Sequence, residues 1–293
     1  MERRSLGRDV GLSIRMAVAL ALLLLVYAGI GAGIYGLFRL APSWLPYWVA
    51  LVVALVGAAV GHYKSVESLL LRSAGAKLVR PGSHLTLHEL VARLAELADV
   101  PRPRLAVAET SAANAFTVGL APGRTVIVVS TGLLRRLNRR ELEAVLAHEL
   151  AHVANRDAAV MTAVSLPRTL GALLVGGPDW GIILWLVVWP LGLPLWAIGT
   201  LLTLTVSRYR EYAADRGSAI LTGEPEQLMS ALQALTSSAP LIPSSDLRDF
   251  AGVEALCIVG SGARRFELLM DHPPLEKRLA HLAEIARELG KAR

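Results

Sequence analysis

Two histidines four residues apart, with a glutamate directly after the first, mark the stretch AVLAHELAHVANRD, residues 144 to 157. On a helix, this spacing places the imidazoles of His148 and His152 on one face, one turn apart. Neutral imidazoles are zinc ligands, and a catalytic zinc site has three protein ligands and one position open to water. Glu149 is placed to take a proton from that water, as in the H-E-x-x-H pattern. The alternative is an ordinary helix with two surface histidines.

A third ligand is expected from a different element, and the segment SRYREYAADRGSA, residues 207 to 219, supplies carboxylates. Glu211 and Asp215 are four residues apart on a predicted helix, so both side chains can face the histidine helix. We predict that Glu211 completes the metal site and that Asp215 accepts a hydrogen bond from a ligand imidazole. Without the histidines upstream, an acidic pair on a solvated helix face would be the simpler interpretation.

The segment HLTLH contains another histidine pair, His84 and His88. No glutamate follows the first histidine here, although Glu89 follows the second. The segment begins an amphipathic helix after Pro81 and Gly82. We therefore interpret this pair as part of a solvated helix face rather than as a second metal site.

The elements around the metal-binding pattern carry their own local signals. Asn138 and Glu141 form a capping-box pattern that predicts the start of the histidine helix. The run from Val126 to Val129 consists of β-branched residues and predicts a strand after the turn APGR. A small sheet is therefore expected, and its edge can bind an extended substrate by strand addition.

Hydrophobic residues make up 54% of the chain and the mean hydropathy is +0.49, which indicates a membrane protein. No residue from Met16 to Phe38 is charged, and this run is long enough to cross a hydrocarbon core of about 30 Å as a helix. A cleaved signal peptide is the alternative, but its apolar core is usually only about 7–15 residues long. A second run, Trp44 to Gly61, opens with interfacial aromatics and completes a predicted transmembrane hairpin.

Basic residues flank the outer ends of this hairpin, whereas its connection contains only Arg39. This distribution predicts that both ends are cytoplasmic. Region 158–206 is also apolar and is interrupted by the turn-like GGPDWG at 176–181, so we predict two helices there. Because Pro167 and Arg168 lie within the first of them, the pair either spans the bilayer or forms a shallow hairpin.

The net charge of +6 and the pI of about 9.8 do not indicate nucleic-acid binding, because the arginines are scattered and no nucleic-acid motif accompanies them. Positive charge beside apolar segments has a simpler cause in membrane topology. Cys257 is the single cysteine, so no intramolecular disulfide forms.

The segments HELAHVANRD, SRYREYAAD, NAF (114–116) and HPPLEKR (272–278) together resemble the HtpX-type integral-membrane zinc endopeptidases, relatives of the eukaryotic CAAX prenyl endopeptidase. The resemblance covers nearly the whole chain. It implies one zinc ion per chain, bound by His148, His152 and Glu211, with Glu149 as the catalytic residue. It also implies a substrate class, namely damaged or misassembled membrane proteins and unfolded polypeptides that are cut on the cytoplasmic side.

The resemblance further implies a substrate-binding role for Asn114, Ala115 and Phe116, which border the cleft in that family. A plain hairpin strand is the alternative interpretation of this segment. Both interpretations place the segment in the small predicted sheet, so they differ in function and not in local structure.

Other residues receive supporting roles from the same resemblance. His272 is expected near the cleft as a catalytic residue, and Arg278 is expected beside a buried carboxylate. Either side chain can then help to stabilise the oxyanion of peptide hydrolysis. A helix-capping histidine is the alternative for the first of them. Asn155 and Asp157 are expected to hold the end of the zinc helix.

These observations predict a mainly α protein with a small β-sheet, in which a gluzincin-like HExxH zinc-peptidase domain is anchored by hydrophobic helical hairpins. A transmembrane hairpin is expected at 1–63, followed by a first catalytic part with the zinc helix at 64–157. A second hydrophobic pair is expected at 158–206, and a second catalytic part with the third ligand at 207–293.

The expected function is zinc-dependent endopeptidase activity in the quality control of membrane proteins. The expected location is the cell membrane (inner or plasma membrane), with several crossings and a cytoplasmic catalytic domain. A narrow-specificity protease of the CAAX type and a metal-containing membrane sensor or binding protein are the alternatives. The residues leave the oligomeric state open.

Overall fold

The computed structural model describes residues 10–40, 42–44, 75–80, 82–119, 122–176, 181–238 and 272–291, together with isolated positions between 46 and 57. The helices are α1 (Val10–Leu40), α2 (Leu85–Ala98), α3 (Thr131–Arg136), α4 (Arg139–Ala154), α5 (Asp157–Gly176), α6 (Gly181–Thr222), α7 (Pro225–Ser238) and α8 (Leu275–Lys291). The strands are β1 (Ala76–Leu78), β2 (Arg104–Ala108), β3 (Ala115–Val118) and β4 (Val126–Ser130). Most of the predicted second transmembrane run and Cys257 lie outside the described residues.

Helices α1, α5 and α6 are long and apolar enough to cross a membrane. The two helices predicted for 158–206 are present as α5 and α6, but α6 continues without a break to Thr222. Its 42 residues correspond to about 63 Å, roughly twice the thickness of a hydrocarbon core. Helix α6 therefore extends from the apolar hairpin to the part of the molecule that packs around α4.

Glycines bring the backbones of α5 and α6 into contact. A Cβ atom on Gly171 would overlap the backbone nitrogen of Trp196, and a Cβ atom on Gly199 would overlap the backbone nitrogen of Arg168. Small residues at such crossings allow the close helix packing that is common in membranes. Helix α1 packs against the same pair through an apolar cluster.

The four described strands form one sheet in the order β1-β2-β4-β3, in which β2 and β4 are parallel and the other pairs are antiparallel. Strand β3 is therefore an edge strand. Ser130 donates its backbone N–H to the carbonyl of Asn114 at 2.9 Å. Because bonded pairs alternate in an antiparallel ladder, the main-chain groups of Ala115 and Thr117 point away from β4. The sheet and the surrounding helices confirm the predicted mainly α fold with a small sheet.

Helix α4 begins at the predicted capping box. Asn138 Oδ1 accepts from the backbone N–H groups of Arg140 (2.9 Å) and Glu141 (3.1 Å), and Glu141 Oε2 accepts from the Asn138 N–H at 3.0 Å. The helix then packs in the main core with the sheet, α2, α7 and α8. Because apolar elements surround the middle of the helix, the polar side chains of His148 and Glu149 are also buried, at 1% and 2% exposed.

Candidate metal centre

The side chains of His148, His152 and Glu211 converge where α4 packs against α6. The Nε2 atoms of the two histidines lie 3.2 Å apart. The Glu211 carboxylate oxygens lie 3.5 Å from Nε2 of His148 and 3.6 Å from Nε2 of His152. Within the described part of the chain, these side chains form the one cluster of three potential metal ligands.

Each imidazole turns its other nitrogen toward a carboxylate. Nδ1 of His148 lies 3.1 Å from Oδ1 of Asp215, and Nδ1 of His152 lies 2.6 Å from Oδ2 of Asp157. Each carboxylate favours the tautomer with a proton on Nδ1, which leaves a lone pair on each Nε2. Two such lone pairs at 3.2 Å repel each other unless a cation or a proton lies between them. Two ligands of a tetrahedral ion at 2.0–2.1 Å are about 3.3 Å apart, so the residues present fit a bound metal.

An arginine holds each of these supporting carboxylates. Arg278 donates two hydrogen bonds to Asp215, from Nε to Oδ2 at 2.9 Å and from Nη2 to Oδ1 at 2.6 Å. Arg210 Nε lies 3.0 Å from Oδ1 of Asp157. Both ligand imidazoles are thus oriented by an Asp–Arg pair. No pattern in the sequence indicated Arg210, because only the packing of α5 on α6 brings it to Asp157.

Four carboxylates and two guanidinium groups surround the cluster. The carboxylates belong to Glu149, Asp157, Glu211 and Asp215, and the guanidinium groups to Arg210 and Arg278. With neutral imidazoles this group carries two negative charges, which one divalent cation balances. Burial alone would lower the pKa of His148, but Asp215 and Glu211 outweigh it and raise that pKa to about 9. A proton on His148 therefore compensates part of this negative charge when metal is absent.

Glu149 lies on the side of α4 that faces the edge strand β3. The hydroxyl of Thr117 donates a hydrogen bond to Glu149 Oε2 at 2.7 Å. This bond fixes one carboxylate oxygen beside the metal ligands. Thr117 was not among the predicted site residues, although it directly follows the NAF segment and strand alternation places it on the same face as Ala115.

The two residues taken from the HPPLEKR segment both reach Glu211. His272 Nδ1 lies 3.4 Å from Glu211 Oε1, and Arg278 Nη1 lies 3.4 Å from Glu211 Oε2. His272 is 5% exposed, and no hydrogen bond joins either of its ring nitrogens to another described residue. Because Nδ1 faces the Glu211 carboxylate, Nε2 is the ring nitrogen that can donate to, or accept from, a bound substrate.

The structure places the last two residues of the NAF segment, Ala115 and Phe116, on β3, where they face opposite sides of the sheet. Ala115 packs in the main core beside α4, whereas Phe116 packs in a separate cluster on the opposite face. Asn114 precedes the strand and is buried. Asn155, in contrast, ends α4 as its exposed C-terminal cap, outside the ligand cluster.

The second histidine pair lies at the exposed start of α2. His88 Nε2 lies 3.2 Å from the carbonyl oxygen of Arg80, and its Nδ1 lies 3.1 Å from Nη2 of Arg102. His84 precedes the helix in a left-handed conformation with φ 54°. This pair is not part of the ligand cluster found among the described residues.

Comparison with known proteins shows which family this chain belongs to. The sequence model of Peptidase family M48 matches residues 81–286. The chain belongs to peptidase family M48. It is 38% identical over 302 residues to Protease HtpX homolog 2 of Methanosarcina acetivorans, covering 98% of this chain and 100% of the relative. It is 41% identical over 311 residues to Protease HtpX homolog of Moorella thermoacetica, covering 99% and 100%. The HtpX-type resemblance is therefore confirmed.

Membership of family M48, the apolar helices and the ligand cluster together make this chain a membrane metalloprotease. Among solved structures, the chain is similar to the crystal structure of S. mikatae Ste24p, with a TM-score of 0.49 and 20% identity. That similarity covers 94% of this chain and 66% of the other.

Proposed function

We propose that this M48 protease uses one zinc ion to hydrolyse peptide bonds of misfolded or damaged membrane proteins on the cytoplasmic side of the cell membrane. The observation that carries this proposal is the pair of Nε2 atoms 3.2 Å apart, each on an imidazole whose Nδ1 faces a carboxylate. Glu211 adds a third ligand on the same side. Two imidazoles and one glutamate are a known ligand set of catalytic zinc.

When bound, zinc supplies Lewis acidity toward the scissile carbonyl and the attacking water. Glu149 accepts the proton of that water on its carboxylate and passes it to the leaving amine. Thr117 occupies Oε2 of Glu149, so Oε1 is the oxygen assigned to proton transfer. Nε2 of His272 has no hydrogen-bond partner among the described residues, and this ring is assigned to the oxyanion. Arg278 is engaged with Asp215 and holds the acidic ligands in place.

The substrate is assigned to the outer edge of β3. Strand β3 pairs with β4 on one side, and the main-chain groups of Ala115 and Thr117 point to the other. An extended peptide that pairs with this edge forms backbone hydrogen bonds, and these bonds do not depend on the sequence of the peptide. Because Thr117 also binds Glu149, the same strand positions both substrate and base. This arrangement suits a protease that acts on unfolded chains of many sequences.

The cytoplasmic assignment is supported by the packing of α1 on α6. Ile14 at the start of α1 and Tyr209, two residues before Glu211, line the same groove. The N-terminal end of α1, which follows the arginine-rich segment 1–9 in the sequence, therefore lies on the side of the metal centre, and positive charge favours the cytoplasm. In this proposal the predicted boundary between 206 and 207 marks the level at which α6 leaves the bilayer.

The deciding experiment measures peptide cleavage by the purified, zinc-loaded protein in detergent. The substrates are an unfolded polypeptide and a prenylated peptide, and the variants are Glu149→Gln and the exposed control Glu89→Gln at matched zinc content. We expect the parent and the control to cut the unfolded polypeptide, and Glu149→Gln to be about 100-fold slower or worse.

Other outcomes would point to the alternatives. Cleavage of the prenylated peptide alone would favour a narrow-specificity protease of the CAAX type. Failure of the zinc-loaded parent to cut either substrate would favour a sensor or binding protein. Equal rates for the parent and Glu149→Gln would remove the proposed base.

A further inference from the structure

Helix α5 carries one charged side chain within its apolar run, Arg168. This side chain is exposed. Among the residues that the structure describes, none forms an ion pair or a hydrogen bond with it. An unpaired charge on a helix of this composition requires a partner when the helix is in a bilayer.

Two distances along the helices place Arg168 near the middle of the bilayer in the proposed orientation. Asp157 begins α5, and the stretch from there to Arg168 spans about 16 Å at 1.5 Å per residue. Gly199 contacts the backbone of Arg168, and the stretch from there to Arg208, the next charged residue of α6, spans about 14 Å. Because a hydrocarbon core is about 30 Å thick, both values correspond to about half its depth.

Hydroxyl side chains accompany Arg168 on the same part of α5. We define the polar stripe as Thr162, Ser165, Arg168 and Thr169, whose spacing places them close together on the helix surface. The three hydroxyls donate to carbonyl oxygens of their own helix at distances between 2.8 and 3.3 Å. Their oxygens keep lone pairs as acceptors. Small hydroxyl residues also let a neighbouring helix approach closely, so the stripe suits helix–helix contact.

The chemistry of Arg168 selects a carboxylate as its partner. Lipid phosphates lie at the bilayer surface and not at half depth. A second copy of this chain does not supply the group, because the apolar runs 16–38, 44–61 and 158–207 contain a single carboxylate, Asp179, which lies in the sequence between the end of α5 and the start of α6, far from the mid-helix position of Arg168. The remaining source is a transmembrane helix of another protein with Asp or Glu near its middle. Such a residue is paired in an assembled complex and exposed in an unassembled subunit.

We propose that the polar stripe binds the transmembrane helix of an unassembled membrane protein through a carboxylate at mid-depth. Helix α5 begins at Asp157, whose Oδ2 lies 2.6 Å from His152 Nδ1. A helix held along α5 therefore leaves the bilayer beside the metal centre, where its cytoplasmic extension reaches the β3 edge. This inference rests on the proposed function and names the substrate class of that site.

The test uses the full chain in vesicles of zwitterionic lipid. Each substrate has one transmembrane helix and an unstructured cytoplasmic segment, and the helices differ only at the central residue, which is Asp, Asn, Leu or Lys. The parent is compared with Arg168→Leu and with the charge reversal Arg168→Glu, after matched zinc content and thermal unfolding show that the variants are folded. Binding is measured by energy transfer to Glu149→Gln, with and without the Arg168 changes, so that docking is read without cleavage.

We expect the parent background to bind and cut the Asp helix in preference to the Asn and Leu helices by roughly 3- to 20-fold, the range that interhelical polar contacts provide. Arg168→Leu should remove this preference, and Arg168→Glu should transfer it to the Lys helix. An unchanged preference in Arg168→Leu, or no preference in the parent, would overturn the inference. A preference that follows anionic lipid and not the central residue would also overturn it and would assign Arg168 to lipid phosphate.

A soluble unfolded polypeptide, added to the same vesicles, separates the two proposals. If the parent cuts it but does not discriminate among the helices, the inference fails and the proposed function stands. If the parent cuts nothing while the Asp helix still binds preferentially through Arg168, the docking surface stands and the proposed function fails.

Discussion

His84 and His88 have the same spacing in the sequence as His148 and His152, but the structure places the two pairs in opposite surroundings. The first pair lies at the exposed start of α2, where its neighbours are the carbonyl of Arg80 and the guanidinium of Arg102. The second pair lies within the buried helix α4, where both Nδ1 atoms face carboxylates.

The difference shows that a metal site depends on the groups that contact the other ring nitrogen of each histidine, as well as on the spacing of the histidines. His84 has φ 54° and precedes α2, so helical spacing does not bring the first pair together. The ring nitrogens of His88 lie beside the carbonyl oxygen of Arg80 and the guanidinium of Arg102, and a positively charged guanidinium disfavours a metal cation nearby. At the second pair, carboxylates orient the imidazoles and supply the charge that a cation needs.

The largest expected difference between the pairs is in metal content. His152→Ala removes a ligand, so we expect the purified protein to lose zinc during dialysis against a mild chelator. His88→Ala should keep one zinc ion per chain under the same conditions. Metal analysis after dialysis measures the zinc content of both variants. If only His88→Ala lost zinc, the metal would be bound by His84 and His88 and not by His148 and His152.

Removing one supporting carboxylate should have a smaller effect on metal binding. Asp215→Asn keeps the side-chain shape but weakens the acceptor for His148 Nδ1, so zinc affinity should fall by roughly 10- to 100-fold. Glu89→Gln, beside the exposed pair, should leave the affinity unchanged. Competition with a fluorescent zinc chelator measures both affinities. Equal affinity in the parent and Asp215→Asn would contradict an orienting role for Asp215.

The number of protons released on zinc binding should depend on His148 and not on His88. Because neighbouring carboxylates raise the pKa of His148 to about 9, the metal-free site holds a proton at neutral pH that zinc must displace. Zinc affinity should therefore rise by about tenfold per pH unit and level off above about pH 9. Calorimetry in two buffers with different ionisation enthalpies counts the released protons, and His88→Ala should release the same number. Zinc binding at pH 7.5 without proton release would contradict the raised pKa.

The smallest expected effect is on folding stability at the exposed pair. His88→Gln keeps polar atoms at a surface position, so the free energy of unfolding of the catalytic domain should change by no more than about 0.5 kcal/mol. Denaturation followed by a probe in the catalytic domain measures this change. A larger loss would show that the contact between His88 and Arg102 organises the start of α2.

The parts of the site that could be predicted from the sequence depend on local regularity. The capping box at Asn138 and the four-residue spacing of His148 and His152 lie within one helix, so the period of that helix fixes their relations. Glu211 and Asp215 were predicted for the same reason, because both lie on α6.

The missed contacts join elements that are distant along the chain. The contact of Arg210 with Asp157 depends on how α6 packs on α5, and the bond from Thr117 to Glu149 depends on how β3 packs on α4. No residue pattern within one element encodes such distances. The resemblance also predicted that Asn155 holds the end of the zinc helix, and in this structure Asn155 is the exposed C-terminal cap of α4.

The length of α6 has a further consequence, because one continuous helix contains both an apolar segment long enough to cross a membrane and the candidate ligand Glu211. Each residue along this helix advances the next side chain by about 1.5 Å and 100°. A single residue inserted between Ser207 and Glu211 would therefore point the carboxylate away from the two imidazoles. A bilayer that changes the tilt of α6 would likewise displace Glu211 relative to α4. Lipid thickness is thereby part of the geometry of the active site.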